Sequence, residues 1–121
     1  MKVVFLGTSC MTPTKERNHQ SFFIKQQSEG ILVDCGEGTQ RQFKFAGIPL
    51  TKITKILISH WHGDHVFGLP GIIQSLSALE YEKTLNIYGP KGTKQRIEYM
   101  KKAFPFDRKI TLKIYEIKHL P

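Results

Sequence analysis

Six consecutive residues, His60-Trp61-His62-Gly63-Asp64-His65, carry three imidazoles and one carboxylate. Neutral imidazole and carboxylate are ligands that suit zinc. Residues two apart in an extended segment project to the same side, so His60 and His62 can converge on one ion. Gly63 lets the chain turn sharply, and Asp64 and His65 can then face a second ion beside the first. Two ions about 3.5–4 Å apart suit in-line displacement at phosphorus, where one acidifies the attacking water and both neutralise the growing charge. Solvated side chains or packing explain such a cluster poorly, because these groups are costly to bury without partners. The pattern therefore predicts a hydrolytic centre built for two zinc ions.

Asp34 is the second candidate. It follows the apolar run Ile31-Leu32-Val33. An Asp so placed can orient a ligating His by accepting its other ring N–H. The competing reading is an ordinary turn residue, since Asp before Gly is common in turns. Gly7-Thr8-Ser9 could present backbone N–H groups to a phosphate, but a plain turn explains it as well.

These residues need elements to position them. Val3 to Leu6, Phe22 to Ile24 and Ile31 to Val33 read as strands, the last two joined by a turn at Ser28-Glu29-Gly30. Thr39 to Ala46 reads as a short helix ended by Gly47. Ile53 to Ile58 is the strand that delivers the motif. Leu69, Ile72, Ile73, Leu76 and Leu79 recur at helical spacing, with Pro70 near the helix start. Leu85 to Tyr88 is a strand. Ile97, Met100 and Phe104 mark a helix face, and Ile110, Leu112 and Ile114 alternate as a last strand. The order predicts an α/β (α+β) fold with a mixed sheet.

The whole chain bounds the reading. Its 121 residues fit one domain, with 40% hydrophobic residues for a core. No run approaches the roughly 20 apolar residues of a membrane helix, and the apolar stretch after Met1 is too short for a signal peptide. The expected location is cytoplasmic. Cys10 and Cys35 are too few for a disulfide framework and read as reduced, partly buried thiols. The net charge of +8, from 18 Lys+Arg against 10 Asp+Glu, favours an anionic partner such as nucleic acid.

The ligand count does not close. A catalytic zinc takes about three protein ligands, so two ions sharing one carboxylate need about five or more on that basis. The motif supplies four. His19 and His119 lie outside any motif and read as solvated or structural. The missing ligands would come from sequence beyond Pro121 or from another chain.

In its motifs the sequence resembles the ribonuclease Z (tRNase Z) family, metallo-β-lactamase-fold endoribonucleases that trim the 3′ end of precursor tRNA. The six-residue motif alone would indicate only the superfamily. The narrower likeness rests on Phe5-Leu6-Gly7-Thr8, on Pro13-Thr14-Lys15-Glu16-Arg17-Asn18, and on Val33 to Gln40 with its Asp34-Cys35-Gly36-Glu37 core. Gly68-Leu69-Pro70-Gly71 and Tyr88-Gly89-Pro90-Lys91-Gly92 also fit.

The resemblance implies that His60 and His62 hold the first zinc and that Asp64 and His65 hold the second, with Asp64 also the proton acceptor. It implies that Lys15 and Arg17 lie near the tRNA acceptor end, where charge-assisted bonds to phosphate make physical sense. Family members are considerably longer, and their remaining ligands lie downstream. The expectation is therefore the N-terminal half of an αββα sandwich, residues 1–121 being a partial domain, with a homodimer as the complete assembly. Activity should fall at low pH, since ligating imidazoles must be neutral. Two rivals stand beside this reading. One is a non-catalytic half-domain that binds RNA or a partner. The other is a hydrolase of the same superfamily acting on a thioester, a lactam or a small phosphodiester.

Overall fold

A computed structural model describes residues 1–106 and 109–118. Strands β1 (Lys2–Gly7), β2 (Ser21–Gln26) and β3 (Glu29–Val33) form an antiparallel meander. Helix α1 (Thr39–Ala46) and a 3-10 turn (Leu50–Lys52) lead to β4 (Lys55–Leu57). A single helical turn, α2 (Gly63–Val66), precedes α3 (Leu69–Ala78), β5 (Thr84–Gly89), α4 (Thr93–Ala103) and β6 (Thr111–Glu116). The strands lie side by side in sequence order, and β3 to β6 run parallel. The sheet is thus mixed, as the pattern predicts. Parallel neighbours need crossovers, and the helical segments between them supply these.

Period-two alternation gives the sheet two different faces. Val4, Phe23, Leu32, Ile56, Ile87 and Ile114 pair in one row across all six strands. That row joins a core with Phe43 of α1, Leu69, Ile72, Ile73 and Leu76 of α3, and Ile97 and Met100 of α4. The opposite face carries its own row, Phe5, Phe22, Val33, Leu57, Tyr88 and Tyr115. Among the described residues no helix covers it: Phe5 and Tyr115 at its ends are 72% and 42% exposed, and Phe22, Val33, Leu57 and Tyr88 between them are half-buried.

Several boundaries differ from the sequence reading. The β2–β3 turn sits at Gln27-Ser28, because Glu29 and Gly30 already pair with Gln26 and Lys25. Gln27 takes a positive φ of 54° to close it. The motif-bearing strand is shorter than Ile53 to Ile58: Ile53 caps the Leu50–Lys52 turn, and the strand itself covers Lys55–Leu57. Leu79 caps α3 from an exposed position, and Phe104 lies exposed beyond α4. Cys10 is exposed while Cys35 is buried, and both are free thiols. Among the described residues no helix is long and apolar enough to cross a membrane.

Candidate metal centre

Three loops at the carboxyl ends of parallel strands build the site. Asp34-Cys35-Gly36 follows β3, Ser59 to His62 follows β4, and Pro90 to Gly92 follows β5. Open parallel sheets characteristically bind ligands at this edge. Ile58 prolongs the β4 pairing through its N–H to Tyr88 O, at 2.7 Å.

The Asp34 loop and the motif are joined backbone to backbone. Cys35 N–H donates to His65 O at 2.8 Å, and Gly68 N–H donates to Cys35 O at 3.0 Å. Gly36 is required by this close approach: a Cβ there would lie 2.4 Å from Asp64 O and 2.2 Å from His19 Cβ. Asp34 itself has φ 56°, a left-handed conformation that few side chains other than Asn and Asp tolerate.

From that backbone the buried Asp34 carboxylate reaches three donors. Its Oδ1 accepts the Ser59 N–H at 2.8 Å, and its Oδ2 accepts the Ser59 hydroxyl at 2.7 Å. Oδ2 also lies 2.8 Å from His65 Nδ1. His65 Nε2 then faces the site, 3.3 Å from Asp64 Oδ2. The His60 ring lies 4.1 Å from that of His65 and 4.7 Å from that of His62, centroid to centroid. The structure therefore gathers His60, His62, Asp64 and His65 in one place and sets Asp34 behind them.

Asp64 is also held by the loop after β1. Met11 N–H donates to its Oδ2 at 3.0 Å. That bond, joined by the nearby His65 and His19, lowers the Asp64 pKa below the usual carboxylate value. His19 is structural rather than solvated. It is buried, its Nε2 lies 2.9 Å from Met11 O, and its Nδ1 accepts the Glu37 N–H at 3.2 Å. It thereby clamps the loop after β1 onto the Asp34 turn. Nothing in its local sequence signals this, because all its partners are distant main-chain groups. His119 lies outside the described residues.

Two other residues escaped the sequence reading. Trp61 donates its indole N–H to Thr93 Oγ1 at 2.9 Å, with the Arg96 guanidinium 6.0 Å from its ring centre. It ties the motif to the start of α4. Ser59, beyond its bonds to Asp34, places Oγ 2.9 Å from His60 Nδ1. Its position between the strand and the first His was the available signal. An open cleft of about 890 Å³ adjoins the site, lined in part by Ser59, Pro90, Lys91 and Glu116. Lys15 and Arg17 are exposed on the loop after β1, beside a turn closed by Thr14 N–H to Arg17 O at 2.8 Å. Burial raises the Cys35 thiol pKa far above its usual range, helped by Asp34, so the thiol stays protonated.

The donor chemistry fits a divalent metal. His65 and His60 each engage Nδ1 with an oxygen, which leaves Nε2 available as the ligand atom. Among the described residues, no group of three or more His, Cys, Asp or Glu side chains is arranged to hold a metal ion as it stands.

A helix-backed mixed sheet with His-x-His-x-Asp-His at its carboxyl edge defines the metallo-β-lactamase fold, of which this chain forms one half. The metallo-β-lactamase-fold protein YhfI from Bacillus subtilis superposes with a TM-score of 0.73 at 23% identity, covering 96% of this chain and 46% of that one. The chain belongs to the family described as Anti-Pycsar protein Apyc1, whose model matches residues 1–118. It is also 45% identical to a ribonuclease Z from Methanothermobacter thermautotrophicus, over 98% of this chain and 38% of the relative. A ribonuclease Z from Methanocaldococcus jannaschii is 44% identical over 97% of this chain and 37% of its own. Human tRNase Z, short form, superposes with a TM-score of 0.87 at 35% identity, over 96% of this chain and 44% of that one. The likeness is to the N-terminal part of these proteins, and the chain spans 37–46% of their length.

Proposed function

We propose that the protein, in its complete form, is a zinc-dependent endoribonuclease that removes the 3′ trailer of precursor tRNA. The observation that carries this is the gathering of His60, His62, Asp64 and His65 at the sheet edge, in a chain 45% identical to a ribonuclease Z. His60 and His62 would hold one zinc and Asp64 and His65 the other, the remaining ligands coming from outside these residues. Bound zinc would supply charge to acidify water and neutralise phosphate oxygens.

The chain's own groups do the rest. Asp34 fixes His65 through Nδ1. The Asp64 carboxylate, kept ionised by the Met11 N–H, accepts a proton from the water that attacks phosphorus. The new P–O bond forms to that water, the P–O3′ bond breaks, and the departing O3′ takes up a proton from solvent. The products are a tRNA with a 3′-hydroxyl and a trailer with a 5′-phosphate. Lys15 and Arg17 bind acceptor-end phosphates.

The domain reading belongs to the same proposal: residues 1–121 are one part of a sandwich whose other half covers the apolar row from Phe5 to Tyr115. The exposure of that row and the 38% coverage support it. A cytoplasmic location and a homodimer follow from the same reading; fractionation and sedimentation of the complete protein test them.

In the complete protein, Asp64→Ala should abolish nearly all precursor cleavage while tRNA binding largely survives. Cleavage near the wild-type rate by that variant would sink the assignment. A second reading, a hydrolase of the same fold acting on a small phosphodiester, is kept because the matching family's description is not ribonuclease Z. Competing precursor tRNA against a small phosphodiester separates the two.

A further inference from the structure

Asp34 holds His65 directly, but His60 is reached only through Ser59, and a proton count along that path has a definite result. An ionised carboxylate accepts and cannot donate. Asp34 Oδ2 therefore takes the single hydroxyl hydrogen of Ser59 across 2.7 Å. With that hydrogen spent, Ser59 Oγ can only accept from His60 Nδ1 across 2.9 Å. The His60 proton must then sit on Nδ1, and Nε2 carries a bare lone pair.

We propose that Ser59 is a positioning residue that locks His60 in its Nδ1–H tautomer and so readies Nε2 to bind a cation. One carboxylate thereby sets two imidazoles, His65 by direct contact and His60 through a hydroxyl. The backbone is built for it. Ser59 is pinned by its own N–H to Asp34 Oδ1 at 2.8 Å and by the Ile58–Tyr88 pairing next to it. Asp34 holds its side chain there from a left-handed backbone at φ 56°. Free histidine in water favours the proton on Nε2, the nitrogen left free to ligate here, so the lock opposes the intrinsic preference. The inference rests on His60 being a metal ligand, and it adds the group that makes it one.

The test uses the full-length protein, stripped of metal and labelled with 15N at histidine. Two-bond 15N–1H spectra at about pH 8.5, above the ordinary imidazole range, report each tautomer. Wild type and Ser59→Thr should show His60 protonated at Nδ1. Ser59→Ala should move His60 to the Nε2–H form, while His65 stays Nδ1–H and reports an intact fold. Cobalt(II) affinity, read by competition with a chromogenic chelator, should fall about 10–100-fold in Ser59→Ala and recover in Ser59→Thr.

An Nε2–H His60 in wild type overturns the proposal without any variant. So does an unchanged His60 tautomer in Ser59→Ala, or a changed tautomer with unchanged cobalt affinity. His60→Ala that binds cobalt as tightly as wild type overturns the ligand reading instead, and the metal-free spectra are independent of that result.

Discussion

Two segments meet the motif at Asp64, and they are held in opposite ways. The Asp34 turn is buried and joined to the motif by main-chain bonds from Cys35 and Gly68, with its carboxylate spread over Ser59 and His65. The loop from Cys10 to Arg17 is exposed and meets the motif through Met11 N–H. Rigid burial suits a group that must fix ligand atoms within tenths of an ångström. Exposure suits charged side chains that meet a large polyanion, where contact to phosphate needs reach more than precision. On the proposed function, stability and metal affinity would depend on the first segment and substrate affinity on the second.

The strongest attack on this contrast is Asp34→Ala. It leaves the buried His65 donor unpaired, along with the Ser59 donors, which are open to solvent, and should cost about 3 kcal/mol. Urea unfolding measures it, and a loss below about 1 kcal/mol would show that the turn is not the rigid partner.

Gly36→Ala comes next. Its Cβ would strike Asp64 O and His19, both held by the main chain, so about 1–3 kcal/mol and weaker metal binding are expected. Isothermal titration with cobalt alongside unfolding checks both.

The Lys15→Ala, Arg17→Ala double variant should behave in the opposite way. Stability should stay within about 0.5 kcal/mol, while precursor binding weakens and its log–log salt slope drops by about 1 per residue. An unchanged salt slope would remove both residues from the interface.

The smallest effect is far from the site, at Glu29. Its bond to Lys55 Nζ at 2.6 Å, with a second to Thr54, lowers its pKa from the ordinary 4.5. A lowered folded-state pKa contributes stability above the unfolded value and loses it as pH falls through the folded one. Glu29→Gln should therefore unfold at a slightly lower urea concentration at neutral pH, and the gap should close in acid below the usual carboxylate range. A gap that persists at about pH 2, where the ordinary carboxylate is protonated, would point to packing instead.

Much of this was legible beforehand because it is local. Thr39–Ala46 and its Gly47 stop fall where the sequence puts them, since a helix-ending left-handed glycine is a property of neighbours in sequence. The strand expected over Ile53 to Ile58 is there but shorter, Lys55–Leu57, because Ile53 caps the preceding 3-10 turn with its N–H to Leu50 O, which periodicity does not reveal. Leu79 and Phe104 matched helical spacing yet lie exposed, because helical spacing does not say where the helix and its buried face end.

At the site, sequence alone supplied the donors: His60, His62, Asp64 and His65 in six residues, with Asp34 as a candidate behind them. Residue type and spacing suffice for that, because ligand chemistry belongs to the side chain. Only the tertiary structure decided that Asp34 reaches both His65 and Ser59, that His19 is a buried clamp, and that Met11 caps Asp64. Those bonds join residues from 8 to 53 positions apart. Their geometry follows from sheet register and loop approach, which no local window of sequence contains.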